Sequence, residues 1–323
     1  MKKLNPQEWT RFWDESAAIT TFGTHTHKNY EFQILEFWQQ QLSGNFEQVV
    51  DLACGNGALS WIAHDIFAKA KQSTRVTGVD IADINPFKTL RRKSKRYPLL
   101  EFVANTSIDQ LPFADHSVDI AISQYGFEYS DIEKTVLELD RVLKPTAKIC
   151  LIMHSTSSKL IRPTTDLIKQ SSRALNEVRL HELYLRLDEV CNFPDSDSDP
   201  KLLAEEKKLR AAIAAATIDI GDHVDGIEGG AGAITKYVFN MANEFSAKAP
   251  RRSTNRRKVI LEARTTLEKY LGRIEDMRSA ALDKSGEQDL RRCLEAVGFS
   301  VDQGVLNYVK LGNIGSTLIA RRG

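Results

Sequence analysis

The chain has 323 residues, of which 42% are hydrophobic and 27% are charged, and this length suits one large domain or one domain that carries an insertion. Lys and Arg total 44 against 43 for Asp and Glu, so the charge balance gives no general preference for nucleic acid or for an acidic membrane surface. The first residues contain no apolar run that would suit a signal peptide or a membrane span, and the four cysteines show no C-x-x-C spacing. We therefore expect a cytoplasmic protein with no membrane partner, no metal site and buried thiols.

The first 45 residues are expected to form an N-terminal helical cap. Their spacing predicts helices over residues 6–16 and 29–42, and the second carries an aromatic stripe that is typical of packing onto the domain that follows. The loop between them contains His25 and His27. A metal site there would rest on two histidines alone, which is weak evidence, so a contact with a substrate is the favoured interpretation.

Residues 49–57 have the pattern of a strand, a tight turn and the start of a helix. An apolar β-branched run ends on Asp51, passes through Gly55 and Gly57, and continues with helical spacing from Ala58. Glycine permits a positive φ and lets a ligand approach the main chain, while the N–H groups at a helix start face that ligand. The stretch predicts a nucleoside cofactor, although NAD-binding proteins use a related G-x-G-x-x-G pattern.

The same stretch resembles motif I of the class I S-adenosylmethionine-dependent methyltransferases, in which an acidic residue precedes x-Gly-x-Gly-x-Gly. Ala53 stands where the first of those glycines is expected. Further segments resemble the same family in the same order, and within the family they are most similar to the small-molecule enzymes of the ubiquinone-biosynthesis-like group. The five segments are residues 49–57, 74–80, 105–113, 118–124 and 141–145. Their order argues against NAD binding.

The resemblance implies S-adenosyl-L-methionine as the cofactor and assigns it a set of residues. Motif I would hold the cofactor by its backbone, and an acidic residue that ends the second strand would accept hydrogen bonds from both ribose hydroxyls. Two isoleucines would lie against adenine, a serine would replace the usual Asp or Asn at its amino group, and a glutamine would orient the methionine end. The predicted cofactor-binding residues are Asp51, Ala53, Gly55, Gly57, Asp80, Ile81, Ser107, Ile108 and Gln124.

The expected fold is α/β, a Rossmann-like, doubly wound, mostly parallel seven-stranded sheet with an antiparallel last strand and a large helical insertion. Residues 46–155 form the cofactor-binding core, residues 156–284 form the insertion, and residues 285–323 return to the core as a helix and a closing hairpin. The insertion is expected to contain helices over residues 164–189, 200–215, 234–245 and 256–282. Because it leaves the sheet beside the reacting edge, we interpret it as a lid that forms the acceptor pocket.

Catalysis would require the methyl group and a nucleophile to be held about 3 to 3.5 Å apart without water. An oxygen or carbon acceptor also needs a base, and the sequence offers His154, at the end of the fifth strand, and Glu128. Tyr125 and Tyr129 supply rings that are able to lie near a sulfonium. The predicted catalytic residues are therefore His154, Glu128 and Tyr129.

The leading hypothesis is a methyltransferase that modifies an O, N, S or C atom of a small molecule enclosed by the lid. A methyltransferase acting on RNA or protein is the alternative, supported by basic runs over residues 88–96 and 251–258. A third hypothesis is a cofactor-binding protein without catalysis, because a fold does not determine a function. The acceptor and the oligomeric state stay open.

Overall fold

The structure is a computed structural model that describes residues 5–16, 18–20, 28–224, 232–246, 248–309 and 311–322. The chain divides into two compact units, and these are described one at a time. The sheet unit comprises residues 2–161 and 279–323, and the helical unit comprises residues 162–278. His25, His27 and the glycine-rich segment 225–231 lie outside the described residues.

The sheet unit is built on seven strands. They are β1 (Gln48–Leu52), β2 (Arg75–Val79), β3 (Leu100–Val103), β4 (Val118–Gln124), β5 (Leu143–Met153), β6 (Ser300–Tyr308) and β7 (Gly312–Arg321). Their order in the sheet is β3-β2-β1-β4-β5-β7-β6, and β7 runs antiparallel to both of its neighbours. The predicted doubly wound, mostly parallel sheet with an antiparallel last strand is therefore confirmed.

Helices cover both faces of this sheet, which explains why its central strands are almost wholly apolar. They are α1 (Pro6–Ser16), α2 (Phe32–Gln41), α3 (Ala58–Lys69), α4 (Pro86–Thr89), α5 (Ile132–Val142) and, after the helical unit, α11 (Lys284–Ala296). Side chains of α5 and α11 share one hydrophobic core with the sheet, and those of α2 and α3 share the other. The order of the strands reverses between β1 and β4, and a switch of this kind opens a crevice for ligands beyond the carboxyl ends of the strands.

The helix ends of the sheet unit are set by local capping and by one left-handed residue. The basic run over residues 88–96 does not lie on a long helix. Helix α4 ends at Thr89 after one turn, Arg91 follows with a positive φ of 52°, and a 3₁₀ turn spans Ser94–Arg96. Helix α5 is capped by Asp131, whose carboxylate accepts a hydrogen bond from Lys134 N. Helix α11 is capped by Asp283, whose carboxylate accepts a hydrogen bond from Gly286 N.

The helical unit contains five α-helices and a π-helical turn within the described residues. They are α6 (Thr164–Ser172), a π turn (Arg173–Glu177), α7 (Leu180–Asn192), α8 (Pro200–Val224), α9 (Gly232–Asn243) and α10 (Arg256–Ala280). The expectation of one continuous helix over residues 164–189 was wrong, because Arg179 takes a left-handed conformation with φ of 52°. Within the described ranges, no helix is both long enough and apolar enough to cross a membrane.

A buried arginine holds the connection between α9 and α10. The guanidinium of Arg256 is 2% exposed, and it donates to the backbone oxygens of Glu244 and Arg251, each at 2.8 Å, and to that of Pro250. Its Nη1 also lies 3.7 Å from a carboxylate oxygen of Asp188. Since buried carbonyl groups need donors, this one side chain satisfies three backbone oxygens of the connection.

Replacing this guanidinium with an apolar side chain of similar length is expected to destabilise the helical unit. Arg256→Met leaves three carbonyl oxygens and Asp188 without their cation, and we expect a loss of about 3 kcal/mol in the free energy of unfolding. Urea unfolding followed by far-UV circular dichroism measures this change. All four tryptophans (Trp9, Trp13, Trp38 and Trp61) belong to the sheet unit, so their fluorescence reports that unit separately.

The matched control is Arg257→Met, because Arg257 is an exposed neighbour whose Nη1 lies 3.5 Å from Glu189. Surface ion pairs of this kind contribute little to stability. Equal stability of the two variants would contradict the role assigned to Arg256.

Candidate functional site

The turn after β1 is shaped by residues with a positive φ. Ala53, Gly55 and Gly57 have φ values of 55°, 53° and 78°, and Gly57 is the residue from which α3 begins. Alanine rarely adopts this conformation, which costs about 1–2 kcal/mol for a residue with a Cβ. Its methyl group is accommodated because Gly126, after β4, has no side chain: a Cβ there would lie 2.7 Å from Ala53 Cβ.

Asp80, directly after β2, joins the turn after β1 to the loop after β2. Its Oδ2 accepts a hydrogen bond from Gly55 N at 2.7 Å, and its Oδ1 accepts one from Ala82 N at 2.9 Å. The side chain is buried, and burial raises the pKa of the carboxyl above its usual value. An ionised carboxylate offers about four acceptor positions, so two remain for donors such as ribose hydroxyls.

Asp51, at the end of β1, faces the first turn of α3. It is 1% exposed, and its Oδ2 accepts a hydrogen bond of 2.6 Å from Ser60 Oγ. Burial raises the pKa of Asp51 from 3.8 to about 7, although the bond from Ser60 acts in the opposite direction. This carboxyl therefore changes its charge near neutral pH.

The residues predicted at the adenine lie on the loops after β2 and β3. Ile81 directly follows Asp80 and is 45% exposed, which is unusual for isoleucine at the edge of a core. Ile108 is buried, and Ser107 is half-buried with its backbone oxygen accepting from Gln110 N. An exposed apolar side chain next to a carboxylate suits the flat base and the sugar of a nucleoside.

Gln124 ends β4 and holds a fixed orientation. Its Oε1 accepts a hydrogen bond of 2.6 Å from the indole Nε1 of Trp38, on α2. The glutamine is 9% exposed and the tryptophan is completely buried. The other end of the amide, Nε2, is buried and has no hydrogen-bond partner in the part of the chain that the structure describes. A buried donor without an acceptor is costly, so this group suits a ligand atom.

His154 follows β5 and is held from two sides. Oε1 of Glu128 accepts a hydrogen bond of 2.7 Å from the backbone N of His154 and lies 2.7 Å from its ring Nδ1, without the alignment of a second hydrogen bond. The ring of Tyr125 stacks on the imidazole, with centroids 4.5 Å apart and planes at 25°. Tyr129 approaches edge-on at 6.1 Å. The three predicted catalytic residues are therefore neighbours.

Helix α1 contributes residues that the sequence did not single out. The amide of Asn56 donates to the backbone oxygens of Trp13 and Ala18, at 3.0 and 2.8 Å. The indole of Trp13 covers Gly55 so closely that a Cβ at that glycine would lie 2.3 Å from Cζ2. Trp9 meets Tyr129 edge-on at 5.7 Å. These contacts link α1 to the loops after β1 and β4, and no spacing in the sequence predicts such links over so many residues.

Together these groups fit a nucleoside cofactor with a polar end. Asp80 retains acceptor positions, Ile81 has an uncovered apolar face, and Gln124 has an unused donor. Within the described residues, no three His, Cys, Asp or Glu side chains are grouped as metal ligands.

Comparison with known proteins agrees with this geometry. Residues 50–151 match the family model described as a methyltransferase domain. The 2-phytyl-1,4-naphtoquinone methyltransferase of Nostoc punctiforme (strain ATCC 29133 / PCC 73102) is 33% identical over 129 residues, which is 39% of this chain and 54% of that protein. The protein of the same name from Nostoc sp. (strain PCC 7120 / SAG 25.82 / UTEX 2576) is 34% identical over 118 residues, or 35% and 49% of the two chains. The chain thus spans about half the length of the curated relatives it matches.

Two solved structures match this chain over a similar share of its length. An S-adenosylmethionine-dependent methyltransferase from Mesorhizobium loti is 20% identical with a TM-score of 0.30, covering 39% of this chain and 55% of that one. The 1,6-didemethyltoxoflavin-N1-methyltransferase of Burkholderia thailandensis, solved with S-adenosylhomocysteine, is 16% identical with a TM-score of 0.30, covering 38% and 50%. The family match and the strand order confirm the predicted class I methyltransferase core, and with it S-adenosylmethionine as the cofactor of that core.

The raised pKa of Asp51 predicts how stability depends on pH. Because the folded pKa of about 7 exceeds the unfolded value near 3.8, the folded state holds a proton that the unfolded state has lost between these pH values. Stability from this group is present below about pH 4 and is lost as pH rises to 7, at a cost of at most about 4 kcal/mol. Asp51→Asn keeps an acceptor for Ser60, so we expect it to exceed the original chain in stability, and more at pH 8 than at pH 5.5.

Urea unfolding at the two pH values measures this difference, with Asp119→Asn as the control of opposite sign. Burial alone would raise the pKa of Asp119, but hydrogen bonds from Lys144 and from the backbone of Gln48 and Glu47 hold it below its usual value. That substitution should reduce stability at pH 8. An Asp51→Asn variant that is less stable than the original chain at pH 8 would contradict the assignment.

Proposed function

We propose that the whole chain is an S-adenosylmethionine-dependent methyltransferase that acts on a small molecule. The observation that carries the proposal is the Asp80 carboxylate, which holds the glycine turn through Gly55 N and keeps two acceptor positions for a ribose. Asp51, Ala53, Gly55 and Gly57 then form the turn on which the cofactor lies. Ser107 and Ile108 contact its base together with Ile81, and Gln124 contacts its other end.

The acceptor belongs, in this proposal, to the class of ring compounds named for the relatives. Both Nostoc proteins are named for 2-phytyl-1,4-naphtoquinone, an aromatic ring system with a long apolar chain. Residues 162–278 lie outside the segment that matches the methyltransferase domain, so the match does not cover the helical unit. We assign to this unit the lid and the selection of the acceptor.

His154 is the base in the proposed mechanism. When bound, the cofactor supplies a methyl group on a sulfonium, and the bonding electron pair stays on sulfur as the methyl group leaves. His154 removes the proton that an oxygen or carbon acceptor loses as it gains the methyl group. Glu128 has a side chain closed to solvent, so its role is to hold His154 through Oε1. Tyr125 keeps the imidazole in place by stacking, and Tyr129 closes one side of the site.

Activity on RNA remains the second candidate because of one basic surface. Five exposed cations over residues 88–96 have no carboxylate within ion-pair distance in the described chain: Lys88, Arg91, Lys93, Lys95 and Arg96. The basic run at residues 251–258 differs, since Arg251, Arg252, Arg257 and Lys258 each face a carboxylate. Binding of tRNA that weakens steeply with salt, and that depends on the first surface, would favour this candidate.

The cofactor proposal predicts the binding behaviour of variants at Asp80. In calorimetry, the original chain should bind S-adenosylmethionine and S-adenosylhomocysteine at micromolar strength and should not bind NAD. Asp80→Ala removes the acceptors for the ribose and for Gly55 N, and we expect affinity to fall about a hundredfold. Asp83→Asn is the control, because Asp83 is exposed on the same loop and its carboxylate accepts a hydrogen bond from the Asn105 amide at 3.2 Å.

The control should keep the original affinity. Retained affinity in Asp80→Ala would contradict the proposed ribose contact. If the original chain does not bind either compound, the proposed function fails and only the assignment of the fold stands.

The catalytic proposal predicts that substitution of His154 lowers the rate of methyl transfer but leaves the affinity for the cofactor nearly unchanged. His154→Gln should lower the rate of methyl transfer to reduced naphthoquinones by about a hundredfold or more, since a general base contributes on that scale. Its affinity for S-adenosylhomocysteine should stay within about threefold. Glu128→Gln preserves an acceptor for His154 N, so we expect a smaller loss of rate than in His154→Gln.

Product formation measured by mass spectrometry, together with calorimetry, tests both variants. Equal loss of affinity and rate in His154→Gln would assign the residue to binding, and an unchanged rate would exclude it as the base.

A further inference from the structure

The helical unit contains a groove between α7, α8 and the end of α9. Its volume is about 390 Å³, which is within the range of sites for small molecules. Tyr184 and Leu187, on α7, line the groove although they are 4% and 1% exposed, so α7 forms its floor. The sides are mostly apolar and include Ile218 of α8 and Phe245, just after α9.

Helix α8 turns one continuous face to this groove. Its lining residues follow the spacing i, i+3, i+4, i+7 and i+8, from Arg210 to Ile218, and this stretch rises about 12 Å along the helix axis. Ala214 is exposed, and Ile218 is 64% exposed. The apolar part of this face therefore has no cover in the described chain.

The aromatic wall of the groove is held in place by its neighbours. The rings of Phe245 and Tyr184 have centroids 5.3 Å apart and planes at 32°, and Cζ of Arg256 lies 4.4 Å from the centroid of Phe245. Arg256 is itself fixed by its bonds to three backbone oxygens. The groove is thus formed before a ligand enters, which lowers the entropic cost of binding.

One end of the groove carries a guanidinium and a hydroxyl. Nε of Arg210 donates to Glu206 Oε1 at 2.8 Å, but its two Nη groups have no acceptor among the described residues. Glu206 also accepts from Arg251 at 2.6 Å, so two guanidinium groups share this carboxylate. The hydroxyl of the buried Tyr184 makes no hydrogen bond to a described residue. Burial raises the pKa of this hydroxyl, and the charge of Arg210 acts in the opposite direction, so near neutral pH it is a donor.

We propose that this groove binds a compound with an apolar chain and one acidic group, the chain lying along α8 and the acidic group at Arg210 and Tyr184. A carboxylate accepts from both the Nη groups and the hydroxyl, and these donors otherwise lack partners. An extended chain of about ten carbon atoms spans the distance from Arg210 to Ile218. The inference goes beyond the proposed function, and it uses no residue of the sheet unit.

Calorimetry of the full chain with decanoate and decanol tests the acidic end. Decanoate should bind with a dissociation constant on the order of 0.1 mM, and decanol about fivefold more weakly. Arg210→Met should weaken decanoate about fivefold and leave decanol within about twofold, because only decanoate has a charge to lose. Lys208→Met is the matched control, since Lys208 is exposed on the opposite face of α8 and does not line the groove. It should alter neither affinity.

Two neighbouring alanines of α8 test the position of the chain. Ala214→Trp fills the groove and should weaken both compounds at least about tenfold, because the apolar surface is then covered. Ala215→Trp places the same side chain on the opposite face and should leave both affinities within about twofold. Both alanines are exposed, and far-UV circular dichroism checks that both variants are folded.

Three results would overturn the inference. They are no saturable binding of decanoate, equal affinity for decanoate and decanol, and binding that survives Ala214→Trp. If decanoate does not bind and sedimentation shows a dimer that Ala214→Trp dissociates, the groove belongs to an interface between two copies of the chain. Each of these results leaves the proposed function intact, because binding of S-adenosylmethionine is measured separately with the variants at Asp80.

Discussion

The carboxylate of Asp80 bridges the loops after β1 and β2 because each of its oxygens accepts a backbone N–H, from Gly55 and from Ala82. At that point neither loop is part of the hydrogen-bonded sheet. The two N–H groups would therefore lack acceptors without the carboxylate of Asp80. The turn at Gly55 and Gly57 is therefore held in its positive-φ conformation from outside, by a side chain of the next strand. The remaining acceptor positions of the same carboxylate are the ones that we propose for a ribose, so in this proposal one residue both shapes the loop and binds the ligand.

Burial of carboxylates at one edge gives the site its electrostatic character. Asp51, Asp80 and Glu128 are 1%, 6% and 4% exposed, and none of the three has a Lys or Arg partner in the described chain. Burial without a cation raises the pKa of Asp51 and Asp80, and the two hydrophobic cores of the sheet have to offset that cost. A ligand that brings positive charge reduces the cost. The edge is thus better suited to a sulfonium cofactor than to a dinucleotide with two phosphates.

The sequence predicted those parts of the fold that depend on local pattern. The strand order, the antiparallel β7 and the placement of Asp51, Asp80, Gln124 and His154 at one edge follow from alternating strands and helices and from the motif resemblance. Contacts between distant residues were not predictable. Nothing near Gln124 indicates that Trp38 fixes its amide.

The sequence also did not predict which residues take a left-handed backbone conformation. Arg91 and Arg179 take left-handed conformations that arginine seldom adopts, so α4 stops early and the expected helix over residues 164–189 divides. In the same way, Ala53 departs from the glycine of the family motif, and the glycine that compensates for it, Gly126, lies 73 positions later. In each case a tertiary contact or a strained residue overrides the local preference.

The helical unit has a hydrophobic core of its own, formed by α7, α8, α9 and α10, and the buried Arg256 closes its longest inner connection. A unit with its own core is able to change its surface residues without disturbing the packing around the glycine turn. The residues proposed for the cofactor lie in the sheet unit, within and around the segment that matches the methyltransferase domain, whereas residues 162–278 have no part in that match. This separation is the physical reason for the proposal that the helical unit selects the acceptor and the sheet unit transfers the methyl group.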